Sequence, residues 1–291
     1  MIALGFFDGV HLGHQALLKE CVSLAKQYDC AAAAITFDRH PQSLYRQAPD
    51  LISTASDREF LLRRYGMVSV FCLPVTEKVM STPWEAFLEK LMEQGAAGFV
   101  CGDDFHFGFR GEGNSEKLKN FCAEHELPCV IVPEQTIDGI RVSSTYIRRQ
   151  LETGDMETAV KFLGHPYILT GTVVPGKQLG RKLGIPTANL QLPEGLTVPK
   201  FGVYACRVRI DGMYYPAVTN IGTRPTVEGQ GITVEPWILD YSGDLYGQKL
   251  TLEFHSFLRP EQKFASLEEL TQEIHRNAAQ TREYIQESFT F

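Results

Sequence analysis

The sequence predicts an α/β protein with two consecutive domains: a doubly wound parallel sheet, then a small antiparallel β-barrel with a C-terminal helix. Three observations indicate this architecture. The chain has 291 residues, more than one hydrophobic core usually serves. Its first half alternates short apolar runs with amphipathic stretches, the pattern of β-α-β units. From about Ile168, β-rich runs follow one another with Gly and Pro turns and no intervening helix until Ser266.

The elements of the first half follow from apolar spacing. Leu17, Cys21 and Leu24 recur at helical steps, and a Ser-Thr-Pro start signal at 81–83 precedes a second amphipathic helix. Short helices at 145–151 and 156–163 close this half, so we place the domains at residues 1–165 and 166–291. Strands are expected near residues 2–6, 31–37, 68–73, 98–102 and 129–132.

The second half predicts five strands and one long helix over residues 267–288. Pro236 lacks a backbone donor, so its strand is expected to lie at an edge or to be bulged there. The strands are expected at residues 168–174, 203–210, 214–219, 232–239 and 249–257.

Composition excludes several classes of protein. With 44% hydrophobic and 22% charged residues, the chain resembles ordinary soluble globular proteins, and no apolar run approaches the ~20 residues of a membrane span. The N-terminal residues predict a core strand rather than a signal peptide, so we expect a cytoplasmic protein without a membrane partner. A net charge of −7 argues against broad nucleic-acid binding. The seven cysteines are odd in number and lack a C-x-x-C pair, which favours reduced, structural thiols that are mostly buried.

A glycine-rich turn with two histidines follows the first strand. Residues 5–14 read Gly-Phe-Phe-Asp-Gly-Val-His-Leu-Gly-His. Glycines allow close backbone approach to a ligand, and a helix N-terminus attracts phosphate. His11 and His14 can both donate hydrogen bonds to charge on phosphorus. By itself a His-x-x-His pair is also compatible with a metal pair or two surface histidines, but no Cys or carboxylate cluster completes a metal site.

A second cluster of polar residues lies at the start of the helix predicted at 145–151. Its hydroxyls are Ser143, Ser144 and Thr145, and Arg141 and Arg148 flank them. Alone, this pattern favours a helix N-cap with two solvated arginines. Combined with the histidine turn, it favours a cationic site for a departing pyrophosphate.

The turn, together with segments 36–41, 102–108 and 141–148, resembles the nucleotidylyltransferase superfamily. In its full form it is similar to the N-terminal module of bacterial bifunctional riboflavin kinase/FMN adenylyltransferases, also called FAD synthetases. The resemblance implies that an FMN phosphate attacks the α-phosphorus of ATP in line, without a covalent enzyme intermediate. It implies that the nucleotide lies against Gly5, Phe7, Asp8, Gly9, His11, Gly13, His14, Asp104, Arg141, Ser143, Ser144, Thr145 and Arg148.

A near match to a P-loop opens the second half but fails at its last position. Residues 171–177 fit the first seven places, yet Gln178 stands where Ser or Thr must supply a hydroxyl to Mg²⁺. We therefore reject this motif.

The segment at 180–189, Gly-Arg-Lys-Leu-Gly-Ile-Pro-Thr-Ala-Asn, resembles the riboflavin kinase signature. Thr187 and Asn189 are hard oxygen donors on one side of an extended segment, which suits Mg²⁺. By resemblance Glu235 accepts the proton of the riboflavin hydroxyl; Asp240 and Asp244 are weaker candidates. The remaining residues expected to bind nucleotide or flavin are Gly176, Lys177, Gly180, Arg181, Gly184, Pro186, Tyr246, Arg259, Glu261 and Phe264.

The resemblance implies an enzyme that makes FMN from riboflavin and ATP, then FAD from FMN and ATP. Riboflavin, ATP, FMN and Mg²⁺ are the implied small-molecule partners, and FMN is both product and substrate. Two alternatives stay open: an enzyme in which one module alone is active, and a flavin-binding regulatory protein.

Overall fold

The computed structural model describes residues 1–176, 180, 184–226 and 229–287 of the chain. They divide into two compact units, Met1–Tyr146 and Ile147–Phe291. The division falls inside a helix, earlier than the boundary we expected at 165/166, and the domain limits stay a prediction.

The first unit contains a five-stranded parallel sheet in the order β3-β2-β1-β4-β7. The strand order reverses between β1 and β4, which makes the carboxyl ends of these two strands the switch point where such sheets bind ligands. This arrangement confirms the predicted doubly wound sheet. The strands are β1 Ile2–Leu4, β2 Ala33–Phe37, β3 Ser69–Leu73, β4 Phe99–Gly102 and β7 Cys129–Val132, with two short hairpins, β5 His106–Phe107 with β6 Gly113–Asn114 and β8 Thr136–Ile137 with β9 Ile140–Arg141.

Helices connect these strands and cover the sheet. One core cluster joins Leu4 and Phe99 of the sheet to Leu88 and Leu118 of two helices, all nearly inaccessible to solvent. Apolar residues at helical spacing account for this contact because they place one face of each helix on the sheet. The helices are α1 Leu12–Gln27, α2 Ala55–Arg64, α3 Glu77–Met80, α4 Trp84–Glu93 and α5 Ser115–Glu124.

The second unit is a closed barrel of antiparallel strand pairs in the order β10-β11-β14-β13-β12-β15. The C-terminal helix packs Ala278 against Val203, Val218 and Leu239 of the barrel. The predicted barrel and its helix are thereby confirmed. The elements are α6 Ser144–Thr153, α7 Met156–Leu163, β10 Tyr167–Val174, β11 Asn189–Gln191, β12 Gly202–Ile210, β13 Met213–Thr226, β14 Gly229–Ile238, β15 Lys249–Arg259 and α8 Leu267–Glu287.

Two expectations from composition can be compared with the described residues. No helix among them is long and apolar enough to cross a membrane. All seven cysteines carry free thiols, and four of them are buried. Cys72 is exposed, which departs from the expectation of buried thiols.

A partly buried histidine in the barrel predicts acid sensitivity. Burial, and then the nearby charge of Arg207, lower the pKa of His255 from 6.5 to about 4. The unfolded chain therefore takes up a proton before the fold does, so stability is full above pH 6.5 and falls as the pH drops toward 4. The shift corresponds to at most roughly 3 kcal/mol.

We expect the His255→Gln variant to lose less of its thermal midpoint between pH 7 and pH 4.5 than the wild type. Differential scanning calorimetry at both pH values measures this, with exposed His125→Gln as the control that retains wild-type acid sensitivity. An unchanged pH dependence in His255→Gln contradicts the assignment.

Candidate active sites

The backbone of the turn after β1 is left-handed at three of four consecutive residues. Phe7 has φ 58°, Gly9 has φ 75° and Val10 has φ 42°. Such φ values cost energy in residues with a side chain, so other contacts must hold the turn. Asp8, only 2% exposed, provides them.

The carboxylate of Asp8 anchors the turn to the loop before α2. It accepts hydrogen bonds from the backbone N–H groups of Ile52, at 2.9 Å, and Ser53, at 3.1 Å. On the other side, the hydroxyl of Ser144 donates to the Asp8 carbonyl at 3.0 Å. The Asp8 side chain thus shapes the turn, and its predicted nucleotide contact stays a prediction.

His11 and His14 form a stacked imidazole pair at the start of α1. Their ring centroids lie 3.6 Å apart with an interplanar angle of 14°. The backbone N–H of His14 donates to Nδ1 of His11 at 3.3 Å, so the neutral His11 ring carries its proton on Nε2. The edge-on ring of Phe7, 5.3 Å away, holds the other side of His14.

Three influences keep His14 neutral. Burial lowers the pKa of His14 well below 6.5, and the neighbouring His11 and Arg58 lower it further. Its Nδ1 is buried and has no hydrogen-bond partner among the described residues. A neutral, desolvated imidazole can donate one hydrogen bond to an anion that enters the site, and the anion's charge then stabilises any proton the ring gains.

The two histidines line a cavity of about 360 Å³ at the carboxyl ends of β1, β4 and β7. This is the switch point of the sheet, where ligand binding is expected. The cavity brings together most residues predicted for the adenylyl site: Gly5, Phe7, His11, Gly13, His14, Asp104, Arg141, Ser143 and Ser144. Asp8, Gly9, Thr145 and Arg148 are not among its lining residues.

Arg141 is held at the mouth of this cavity by two carboxylates. Its Nη2 donates to Asp104, and its Nε lies 3.1 Å from a carboxylate oxygen of Glu134. All three side chains are between 41% and 67% exposed, so these ion pairs are weak and exchangeable. Arg141 can therefore turn from the carboxylates to a phosphate. Arg148 lies beyond the division between the two units.

An apolar cavity of about 360 Å³ adjoins the first and was missed by the sequence reasoning. Both cavities share Gly5, Phe37, Phe105 and His106 as walls. The apolar one continues among Val79, Met80, Phe87 and Phe107. The alternating phenylalanines at 105, 107 and 109 were the available signal, because alternate residues of an extended segment share a face.

In the second unit, Glu235 lies in a row of polar residues across three barrel strands. Leu190 pairs with Val234 and Thr187 with Trp237, so the same antiparallel register places Asn189 opposite Glu235. On its other side Glu235 pairs with Asn220. Side chains opposite one another on a sheet face have Cβ atoms about 5 Å apart, so a carboxylate stands between two amides.

The C-terminal helix and the loop before it contact this barrel face. Trp237, on the same face as Glu235, packs its ring 5.7 Å from that of His275 in α8. Glu261 lies so close over Gly222 that no Cβ fits between them. The row containing Glu235 therefore lies next to the contact between α8 and the barrel. The sequence reasoning did not single out Asn220 and His275.

Two glycines of the predicted phosphate loop allow close backbone approach. Gly176 lies against the side chain of Asn189, and Gly180 lies against the carbonyl of Ile185, with no room for a Cβ at either place. Gly176 and Gly180 thus lie against the segment that carries Thr187 and Asn189. Lys177 and Arg181, predicted to bind phosphate, lie outside the described residues.

The other predicted kinase-site residues fall into two places. Pro186, Thr187 and Tyr246 line a cavity of about 280 Å³. Arg259 instead faces α8, where its Nε donates to Asn277 at 3.0 Å, and it stacks over Phe264 at 5.5 Å. The structure therefore separates this cavity from a cluster beside the helix, and Gly184 joins neither group.

The described residues contain no group of three His, Cys, Asp or Glu side chains that could hold a metal ion. Thr187 and Asn189 offer the hydroxyl and amide oxygens that Mg²⁺ accepts when phosphates complete its shell. Asn189 is fixed against Gly176, so the donor set fits Mg²⁺ bound with a nucleotide.

Two protein-family models match the chain in succession. One, described as FAD synthetase, matches residues 1–146, and the other, described as riboflavin kinase, matches residues 163–285.

Curated relatives match nearly the whole chain. Proteins named "bifunctional riboflavin kinase/FMN adenylyltransferase" from Listeria monocytogenes and Pseudomonas fluorescens are 34% and 37% identical to it. The matches cover 98% and 96% of this chain and 92% and 91% of the relatives. A solved structure from Streptococcus pneumoniae, titled a macrolide-efflux protein, is 29% identical with a TM-score of 0.86, covering 97% of this chain and 93% of its own. Neither the family models nor these relatives name efflux.

Proposed function

This chain belongs to the bifunctional riboflavin kinase/FMN adenylyltransferase family, and from that premise we propose that each compact unit performs one of the two reactions. The enzyme phosphorylates riboflavin with ATP, and it transfers AMP from a second ATP to FMN, giving FAD and pyrophosphate. The observation that supports the division is the clustering of chemical groups. The stacked imidazoles lie within residues 1–146, and the row around Glu235 lies within residues 147–291.

In the first unit, the two adjoining cavities accommodate the two parts of the reaction. The isoalloxazine ring of FMN, which needs apolar walls, enters the cavity lined by Val79, Met80 and Phe87. Its phosphate then points into the histidine cavity, where it attacks the α-phosphorus of ATP while the bond to pyrophosphate breaks. His11 and His14 donate hydrogen bonds to the oxygens on which charge develops, and Arg141 and Ser143 receive the pyrophosphate.

In the second unit, Glu235 accepts the proton of the riboflavin 5′-hydroxyl as that oxygen attacks the γ-phosphorus of ATP. Asn220 and Asn189, on either side of the carboxylate, restrict its position. Thr187 and Asn189 would hold Mg²⁺ with the nucleotide, and the ion would offset phosphate charge. We place the flavin ring beside Trp237 and His275, where α8 packs on the barrel.

The substrates and the net charge support proposals about the compartment and the partners of the enzyme. ATP and riboflavin meet in the cytoplasm, where we place the protein. The net charge of −7 gives nucleic acid no broad surface to bind, and we assign no nucleic-acid or membrane partner.

Metal dependence tests the placement of the kinase site. We expect EDTA to stop both reactions, and we expect Asn189→Ala to raise the Mg²⁺ concentration needed for half-maximal FMN formation by at least about tenfold. FAD formation from added FMN should keep its wild-type Mg²⁺ dependence, because the residue lies in the other unit. Chromatography of riboflavin, FMN and FAD across a Mg²⁺ titration measures both.

Exposed Gln191, on the same strand as Asn189, provides the matched control. Gln191→Ala should titrate like the wild type. If Asn189→Ala leaves the Mg²⁺ titration of FMN formation unchanged, Asn189 is not a metal ligand.

A further inference from the structure

Arg58 is a permanent cation buried in the interior of the first unit. It is 0% exposed and is among the largest fully buried side chains. Its Nη2 donates to the carbonyl of Phe37, but its Nε and Nη1 have no partner among the described residues. A buried charge without full hydrogen bonding is costly, and most folds avoid it. Because Arg58 does not favour folding, we look for a role in the chemistry of the site.

The guanidinium lies directly behind the wall of the histidine cavity. Arg58 comes from α2, and its Cζ is 4.6 Å from the ring centroid of Phe6. Phe6 and Phe37, both of which Arg58 contacts, are lining residues of that cavity. The charge of Arg58 also acts on His14, lowering its pKa, so the electric field of the guanidinium reaches the imidazole pair.

The nearby carboxylates of Asp8 and Asp38 do not depend on Arg58 for their hydrogen bonds. Burial lowers the pKa of Arg58, and the nearby carboxylates of Asp8 and Asp38 only partly oppose this shift. Each carboxylate has backbone partners of its own: Asp8 accepts from Ile52, and Asp38 accepts from Val75 at 2.9 Å. Removing Arg58 therefore leaves neither without hydrogen bonds.

Adenylyl transfer needs positive potential at this place. The phosphate of FMN and the triphosphate of ATP are both anionic, and they must meet within bonding distance. Among the described lining residues of the cavity, Arg141 is the permanent cation, and two carboxylates hold it. Fixed charge in a low-dielectric wall acts more strongly than the same charge in water, and it needs no reorganisation during the reaction.

We propose that Arg58 is a positioning residue for FMN adenylylation. From behind Phe6 and Phe37 its charge offsets the repulsion between the FMN phosphate and the ATP triphosphate. Its contacts also hold these two cavity walls in position. This inference rests on the proposed adenylyl function of the first unit. Arg58 acts through its neighbours and need not touch substrate.

The test compares Arg58→Met, which removes the charge at similar volume, with Arg58→Lys, which keeps it. We expect Arg58→Met to form FAD from added FMN with kcat/KM reduced about 10- to 100-fold for both FMN and ATP. Arg58→Lys should recover most of this loss. The thermal midpoint for unfolding of the first unit should stay within about 4 °C of wild type in both variants. Riboflavin phosphorylation by the same preparations should be unchanged.

Arg64→Met, on the exposed end of the same helix, is the matched control and should retain both activities. Arg58→Gln compared with Arg58→Lys gives the same contrast if Arg58→Met does not fold. Wild-type FAD formation in Arg58→Met or Arg58→Gln overturns the inference, as does a Lys variant no better than the uncharged ones. A loss of FAD formation that is fully explained by a lower thermal midpoint of unfolding also overturns it. If the wild-type protein itself makes no FAD from FMN, the proposed function fails instead.

Discussion

The Glu235→Gln variant is expected to form FMN from riboflavin at less than about a hundredth of the wild-type rate, because a positioned general base contributes roughly 10²- to 10⁴-fold. Gln has nearly the same shape and keeps the strand register with Asn220 and Asn189, but it cannot accept the hydroxyl proton. FAD formation from added FMN should remain at the wild-type rate. Initial rates from chromatographic separation of riboflavin, FMN and FAD measure both steps.

Glu194→Gln is the matched control, because Glu194 is exposed in the loop that follows β11. It should keep both activities. If Glu235→Gln forms FMN at more than about a tenth of the wild-type rate, Glu235 is not the base. Equal loss of both activities would contradict the division of the reactions between two units.

The elements that the sequence predicts well are those whose apolar pattern is local. The strand expected at 129–132 is β7, and the helix expected at 267–288 is Leu267–Glu287. The helix buries one face, as its residue spacing predicts, and β7 is a short continuous apolar run. The strand β11 was missed because it has three residues, and one of its partners, Val234, lies far along the chain.

Pro236 was expected to mark an edge or a bulge, and the structure corrects this. Its strand pairs continuously with β13 and lies inside a closed barrel. The carbonyl of Pro236 accepts from Ala188, so the donor it lacks would also face that neighbour. The neighbour is the short, irregular start of β11, where a missing hydrogen bond costs little.

The site residues also divide into those with a local sequence pattern and those brought together only by the tertiary fold. The histidine turn could be predicted because its glycines, histidines and helix start are contiguous in the sequence. Arg58 could not, since it lies in an ordinary Asp-Arg-Glu-Phe helical run and is buried only because α2 brings it behind Phe6 and Phe37. The apolar cavity likewise requires Val79 and Phe105 to converge from separate connections. No local pattern predicts the position of Arg58, and the alternating phenylalanines mark only one wall of the cavity.

The His14→Ala variant is expected to stop the reaction sequence at FMN. Removing one donor from a site that stabilises developing charge costs about 10²- to 10³-fold, and His14 is one of two imidazoles in this position. Because His14 is neutral, its loss removes a hydrogen-bond donor and not a charge, so the binding of ATP should weaken less than kcat falls. Riboflavin should still be phosphorylated at the wild-type rate, and FMN should accumulate in the chromatogram.

His125→Ala changes an exposed histidine that follows α5 in the same unit. This variant should give FAD normally, and it controls for loss of an imidazole as such.

The stacked partner supplies a second comparison. His11→Ala also removes a donor, but it additionally leaves the backbone N–H of His14 without the Nδ1 acceptor of His11. That variant should therefore lower the thermal midpoint more than His14→Ala does, while both lose FAD formation. FAD production by His14→Ala above about a tenth of the wild-type rate would contradict the role of the imidazole pair in transfer, since the remaining donor alone cannot supply the missing stabilisation.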